Sequence, residues 1–99
     1  MKLAFVIHNE YFTVQVMKLL QDAGIDYYTR WEHATGKGHG TEPHLGAGSR
    51  SSTNAVMMIG FSEDAPLEKL IAAIAAANAV IKRSDDKIRL FQVPLEKIV

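Results

Sequence analysis

The chain contains no cysteine among its 99 residues. Disulfide bonds and metal sites built on thiolates are therefore excluded. The lack of cysteine fits a cytoplasmic protein best, because disulfides persist mainly in oxidising compartments. Any metal site in this chain would have to use imidazole and carboxylate ligands instead.

A net charge and long apolar runs are also missing. Eleven lysine and arginine residues balance eleven aspartate and glutamate residues, whereas a nucleic-acid-binding protein normally carries a basic excess. The apolar run near the N-terminus covers only the five residues 3–7, which is too short for a signal peptide or a membrane span. We therefore expect no nucleic-acid partner, and contact with a membrane only through a partner protein.

The residues that are present predict one folded domain over residues 1–99, because 47% of them are hydrophobic and the length suits a single core. Apolar patterning predicts strands at 2–8, 25–33, 54–61 and 88–93. One helix is expected to follow Thr13 as its N-cap and to end at Gly24. A second helix is expected to begin near Asp64 and Pro66.

This order of elements predicts an α+β fold of the ferredoxin-like split βαβ type, with a four-stranded antiparallel sheet and both helices on one face. Tyrosine, tryptophan and methionine side chains at alternating strand positions would then lie on the other, uncovered face. An uncovered apolar face predicts oligomerisation. The alternative is that these side chains fill the core beneath the helices.

Residues 34–53 show no apolar periodicity and are rich in glycine, serine and threonine. A loop of this length in a compact domain is usually functional or disordered. Its first part reads GKGHGTEPHLG, at residues 36–46. This stretch suits a solvated loop, a metal site, or a loop that closes over an anion.

Histidine and glutamate residues in and beside this loop form a candidate metal site for zinc, copper or nickel. They are His33, His39, Glu42 and His44. Their spacing matches no stiff metal-binding motif, and histidine in a loop commonly serves as a hydrogen-bonding group. We also expect His8, at the end of the first strand, to make a structural hydrogen bond.

Three stretches of the chain resemble, in order, those of PII-type signalling proteins, the nitrogen regulatory protein P-II superfamily. Residues 1–32 resemble the family's first βαβ unit without a gap. The stretch GKGHGTE, at 36–42, resembles the root of its T-loop, and DDKIRLFQV, at 85–93, resembles its glycine-rich turn and following strand. The resemblance covers essentially the whole chain.

The resemblance implies a homotrimer whose clefts between subunits bind an adenine nucleotide such as ATP, ADP or AMP. A T-loop-like segment at about 34–53 would report the bound effector to a transporter, enzyme or regulator. No cofactor would be required. The residues that the resemblance assigns to the nucleotide are Gly36, Lys37, Gly38, Lys82, Arg83, Asp85 and Lys87.

The sequence departs from the family pattern at several positions. The loop tip lacks the tyrosine that some members have modified, so uridylylation is not expected. Thr53 and Asn54 stand where members that bind 2-oxoglutarate have a lysine, so that ligand is not expected either. Residues 84–86 read SDD where the family has two glycines flanking an aspartate, and the added side chains would hinder close approach of a phosphate. The sequence therefore resembles a divergent PII-like member.

Catalytic motifs are missing from the sequence. It has no serine–histidine–aspartate pattern and no G-x-x-x-x-G-K-[ST] phosphate loop. Glu32 and Glu42 form a carboxylate pair without an accompanying nucleophile. We therefore expect a binding protein that is not an enzyme, with two hypotheses: a nucleotide-responsive signalling protein, or a metal-responsive PII-like module that uses the loop histidines.

Overall fold

A computed structural model describes residues 1–38 and 53–99 of the chain. Six main elements follow one another within these residues. They are β1 (Lys2–Asn9), α1 (Thr13–Asp22), β2 (Thr29–Ala34), β3 (Asn54–Phe61), α2 (Asp64–Val80) and β4 (Arg89–Pro94). Short 3-10 turns at Glu10–Phe12 and Ser84–Asp86 precede α1 and β4 respectively.

The described strands form a four-stranded sheet in the order β2-β3-β1-β4. Each neighbouring pair is antiparallel. Both helices pack on one face, where buried residues of the two central strands meet those of α1 and α2. This is the ferredoxin-like split βαβ arrangement, so the predicted fold class is confirmed. Neither helix of the described part combines the length and apolar character that a membrane crossing requires.

The register of β1 and β3 determines which side chains enter the core. Ala4 pairs with Ile59 and Val6 with Met57, and all of them are buried. Because side chains alternate across a strand, these positions lie on the helix-covered face. Burial of this apolar surface is the main stabilising term of the domain.

The opposite face of the sheet is apolar, and no helix of the described residues covers it. Phe5 pairs with both Met58 and Phe91, and Val56 pairs with both Ile7 and Trp31. Phe91 is 55% exposed and Trp31 is 49% exposed. We call this surface the open face. It contains the expected tryptophan and methionine, whereas Tyr27 and Tyr28 lie before β2 and outside the described strands.

Several predicted boundaries differ from the structure, and two of the differences have an identifiable physical cause. Thr13 is the first residue of α1 and not its N-cap, because its backbone is already helical, with a φ of −56° and a ψ of −44°. Its hydroxyl donates to the Glu10 carbonyl at 2.8 Å. Asn9 caps the preceding turn instead, accepting from the Tyr11 amide at 3.0 Å. The second strand begins at Thr29 and not at residue 25, because Ile25 is buried and its amide donates to the Leu20 carbonyl at the end of α1.

Asn78 connects the end of α2 to the beginning of the last strand. Its side-chain amide donates to the Ile88 carbonyl, and its side-chain oxygen accepts from the Ile88 amide, both at 2.8 Å. These two hydrogen bonds pair the backbone N–H and C=O groups of Ile88, which is itself buried. They also fix where the turn at residues 82–87 returns to the sheet.

We predict that Asn78→Ala destabilises the protein, because both backbone groups of Ile88 lose their partner. The expected cost is about 1–3 kcal/mol, which lowers the Tm of a domain of this size by at least roughly 4 °C. Thermal unfolding followed by circular dichroism measures it. Glu68→Ala, an exposed change on the same helix, is the control, and an equal Tm for the two variants would contradict the prediction.

Candidate ligand-binding cleft

A cleft with a volume of about 320 Å³ lies where β1 ends and β3 and β4 begin. The chain that follows β2 and the turn before β4 form its two sides. Residues 34–38 therefore face residues 84–87 across the end of β1. Roughly 50 positions separate the two segments in the sequence, but the entropic cost of closing a loop grows only slowly with its length. The lining residues of the sheet are Ile7, His8, Asn9, Asn54, Val56, Arg89 and Phe91.

The floor of the cleft is apolar and its rim is charged. Ile7, Val56 and Phe91 belong to the open face, so the cleft is the polar corner of that surface. Around them, the described lining includes the cationic residues Lys37, Lys87 and Arg89 and the anionic residue Asp85. This combination suits a ligand that has a flat apolar part and an anionic part.

The turn before β4 is held by its own ion pairs. The Arg83 guanidinium lies 2.9 Å from the Asp85 carboxylate and 3.9 Å from that of Asp86. The Asp86 amide donates to the Arg83 carbonyl, and the Lys87 amide donates to the Ser84 carbonyl. The Arg83 guanidinium therefore lies beside the carboxylates of its own turn.

On the other side of the cleft, Gly36 lies against Asn54 at the beginning of β3. A Cβ atom placed on Gly36 would come within 3.0 Å of the Asn54 side-chain nitrogen. The contact is tighter than most real Cβ contacts, so a larger residue would displace the amide. Glycine is needed here for close approach of the chain to the sheet.

The structure brings together part of the predicted nucleotide-binding set. Gly36, Lys37, Gly38, Asp85 and Lys87 all line the cleft. Lys82 and Arg83 are not among its lining residues. The cleft is also lined by residues that were not predicted, because their positions depend on the strand register. They are Asn9, Asn54, Arg89 and Phe91. Alternation along β4 predicts that Arg89 and Phe91 share a face, but it does not predict that Arg89 pairs with Ile7 and Phe91 with Phe5.

Most of the predicted metal ligands, His39, Glu42 and His44, lie outside the described residues. His33 is described, and its Nδ1 atom lies 3.2 Å from the Glu10 carboxylate. Residues 1–38 and 53–99 contain no group of three or more histidine, aspartate or glutamate side chains that could hold a metal ion. The structure therefore gives the metal hypothesis no support.

His8 lies at the end of β1 with 2% of its surface exposed. Its Nδ1 atom donates to the Asn9 carbonyl at 2.8 Å, so the expected structural hydrogen bond is present. Its Nε2 atom is buried and has no hydrogen-bond partner among the described residues. Burial lowers the pKa of His8, and the nearby Arg30 charge adds to this, although the Asn9 bond and the Glu10 carboxylate oppose it. The neutral imidazole is therefore favoured.

Comparison with known proteins identifies the fold. No protein-family model matches the chain, and no curated protein matches its sequence. Solved structures do match. A structure of CPII from Thiomonas intermedia K12, bound to ADP and bicarbonate, has a TM-score of 0.67 at 15% identity, covering 93% of this chain and 84% of that one. CPII bound to ADP, AMP and acetate has a TM-score of 0.67 at 13% identity, covering 97% and 88%.

CPII is described as a nitrogen regulatory PII-like protein. The likeness covers nearly the whole chain, so the chain has the PII-like fold that the order of its motifs predicted. At this level of identity the likeness is one of fold.

We predict that Gly36→Ala moves the Asn54 side chain, because the added methyl group would come within 3.0 Å of its nitrogen. Both residues are only partly buried, so we expect a cost below the roughly 1–3 kcal/mol of overpacking in a core. The Asn54 side-chain amide signals in an NMR spectrum measure the displacement. Gly60→Ala is the matched control, since a Cβ there would lie at an ordinary 3.5 Å from Ile98. Unchanged Asn54 signals in Gly36→Ala would contradict the assigned contact.

Proposed function

We propose that this chain is a PII-like signalling protein that binds an adenine nucleotide in the cleft between residues 34–38 and 84–87. The observation that carries the proposal is that one cleft unites both segments that the sequence assigned to the nucleotide. It also provides an apolar floor and cationic side chains from both sides and from β4. The ADP and AMP bound to the structurally similar CPII support an adenine nucleotide as the ligand class.

The adenine ring would lie on the apolar floor formed by Ile7, Val56 and Phe91. The phosphates would lie toward Lys37, Lys87 and Arg89, with backbone N–H groups of the Gly36–Lys37–Gly38 stretch as further donors. Asp85 also lies on this rim, but its carboxylate is paired with the Arg83 guanidinium at 2.9 Å, which offsets its charge. We propose ADP or AMP as the preferred ligand, because these nucleotides are bound in the structurally similar CPII.

A small oxyanion is a second candidate ligand, beside the nucleotide. The CPII structures contain bicarbonate or acetate together with nucleotides. The cationic rim of this cleft offers groups that would bind such an anion. Bicarbonate therefore belongs among the ligands to be tested.

We propose that the signal is passed on by residues 34–53, which begin at the cleft, to an unidentified transporter, enzyme or regulator in the cytoplasm. In this proposal the protein acts as a regulator and catalyses no reaction. Its regulatory role is supported by the description of CPII as a nitrogen regulatory protein. Nucleotide binding would change the surface that this segment offers to its partner.

We further propose that the chain forms a homotrimer through the open face. Phe91, Trp31 and Val93 all remain about half exposed on that face, at 55%, 49% and 45%. Contiguous exposed apolar surface of this kind marks an interaction site. The cleft borders the open face, so a neighbouring subunit would also approach the bound nucleotide.

We predict that Lys87→Ala weakens ADP binding about 10-fold to 100-fold, because a hydrogen bond to a charged group contributes about 1.5–3 kcal/mol. Isothermal titration calorimetry with ADP, AMP, ATP and bicarbonate measures the affinities. Lys82→Ala is the matched control, since Lys82 belongs to the same turn but does not line the cleft.

Failure of the unmodified protein to bind ADP, AMP and ATP would overturn the nucleotide proposal. Equal weakening by both lysine variants would show that general charge attraction, and not the cleft, accounts for binding.

We predict that Phe91→Glu shifts the protein from trimer to monomer, because it places a charge on the apolar open face, on the edge strand β4. Sedimentation velocity ultracentrifugation measures the mass. Val14→Glu is the control, since Val14 is 80% exposed and lies on α1, on the other side of the sheet. A trimer that survives Phe91→Glu would contradict assembly through this face.

A further inference from the structure

Glu10 follows β1 directly and bonds to both sides of the long loop. Its backbone amide donates to the Thr53 carbonyl at 3.1 Å, immediately before β3. Its carboxylate accepts from the His33 amide, near the end of β2, and lies 3.2 Å from the His33 Nδ1 atom. The Thr53 hydroxyl also bonds to the carboxylate. One residue therefore joins the end of β1 to the chain at both ends of the loop.

His33, the residue that bonds to the Glu10 carboxylate, has an uncommon backbone conformation. His33 has a φ of +58°, in the left-handed region that residues other than glycine rarely adopt. It lies in an irregular part of β2, where the pairing with β3 shifts between Trp31 and Ala34. Such a conformation costs free energy and persists only where the surroundings hold it. The bonds from His33 to the Glu10 carboxylate provide that hold.

The path of the chain beyond His33 leads directly into the cleft. Ala34 pairs with Asn54, and Gly36 then lies against the Asn54 side chain. Asn9, the neighbour of Glu10, also lines the cleft. The position of residues 35–38 relative to the end of β1 thus depends on how β2 leaves the sheet at His33.

The hydrogen bonds of Glu10 counteract its burial. Burial by itself would raise the pKa of the carboxyl group. Bonds from the His33 amide and the Thr53 hydroxyl, together with the His33 ring, lower the pKa below its ordinary value. The ionised carboxylate, which accepts hydrogen bonds through both oxygens, is therefore the form that suits this position.

From these contacts we infer that Glu10 is a positioning residue of the nucleotide cleft. It holds the bulge at His33 and so places residues 35–38 against the end of β1. The inference rests on the proposed nucleotide function. Glu10 itself is not among the residues that line the cleft, so its effect on binding is transmitted through the backbone of His33.

The test compares Glu10→Ala, Glu10→Gln and Glu32→Ala with the unmodified protein. Glutamine keeps one oxygen that accepts from the His33 amide but removes the charge. Glu32 is the matched control, because it is an acidic residue next to His33 whose carboxylate pairs with Arg30 at 3.1 Å instead. ADP affinity by calorimetry and hydrogen exchange of the His33 amide by NMR are measured, both well below the Tm of each variant.

We expect Glu10→Ala to weaken ADP binding at least about tenfold and to increase hydrogen exchange of the His33 amide. Glu10→Gln should show smaller changes in ADP affinity and in exchange. Glu32→Ala should change neither the ADP affinity nor the exchange of the His33 amide. A purely structural role would lower the Tm of Glu10→Ala but leave ADP affinity unchanged. That outcome would overturn the inference. If Glu10→Ala does not fold, the same comparison is decided by Glu10→Gln, whose ADP affinity must then fall below that of the unmodified protein.

The two proposals fail in different ways. If the unmodified protein binds none of ADP, AMP and ATP, the nucleotide function is wrong, and the positioning role is overturned with it. If the unmodified protein binds ADP and the Glu10 variants bind it equally well, only the positioning role is overturned.

Discussion

The antiparallel pairing of β1 with β3 determines the two surfaces from which the rest of the molecule is built. Along the pair, one set of side chains, such as Val6 and Met57, lies under the helices. The alternate set, such as Ile7 and Val56, forms the open face and the floor of the cleft. A register shift of one residue would exchange the two sets. The core, the open face and the floor of the cleft therefore depend on the same hydrogen-bonded register.

The cleft forms because several chain ends meet at one end of the sheet. β1 and β2 end there, and β3 and β4 begin there, so the loop root, Glu10 and the charged turn become neighbours. The Asn78 side chain bonds to both backbone groups of Ile88 just before β4, and the Glu10 carboxylate accepts from the His33 amide near the end of β2. The first contact satisfies the backbone of a buried residue, and the second joins residues 23 positions apart. The rigid parts of the site are thus supplied by the scaffold and its polar contacts.

The sequence allowed the fold class and the approximate place of every main element to be predicted, because these depend on local periodicity. The bounds of β3, for example, agree with its apolar run. The beginning of β2 was wrong, since Ile25 alternates like a strand residue but is buried at the end of α1. The contributions of Arg89 and Asn54 to the cleft depend on strand pairing. The bond from His33 to Glu10 joins residues 23 positions apart, and neither carries a local signal for it.

Trp31 is the chain's single tryptophan, and its place in the sheet gives the protein a built-in optical reporter. It pairs with Val56, which belongs to the cleft floor, and its indole is about half exposed on the open face. Indole emission shifts when water leaves the ring. The intrinsic fluorescence of the unlabelled protein should therefore change when a ligand or another subunit covers this face. Because the chain has one tryptophan, the indole emission has a single source in every variant that keeps Trp31.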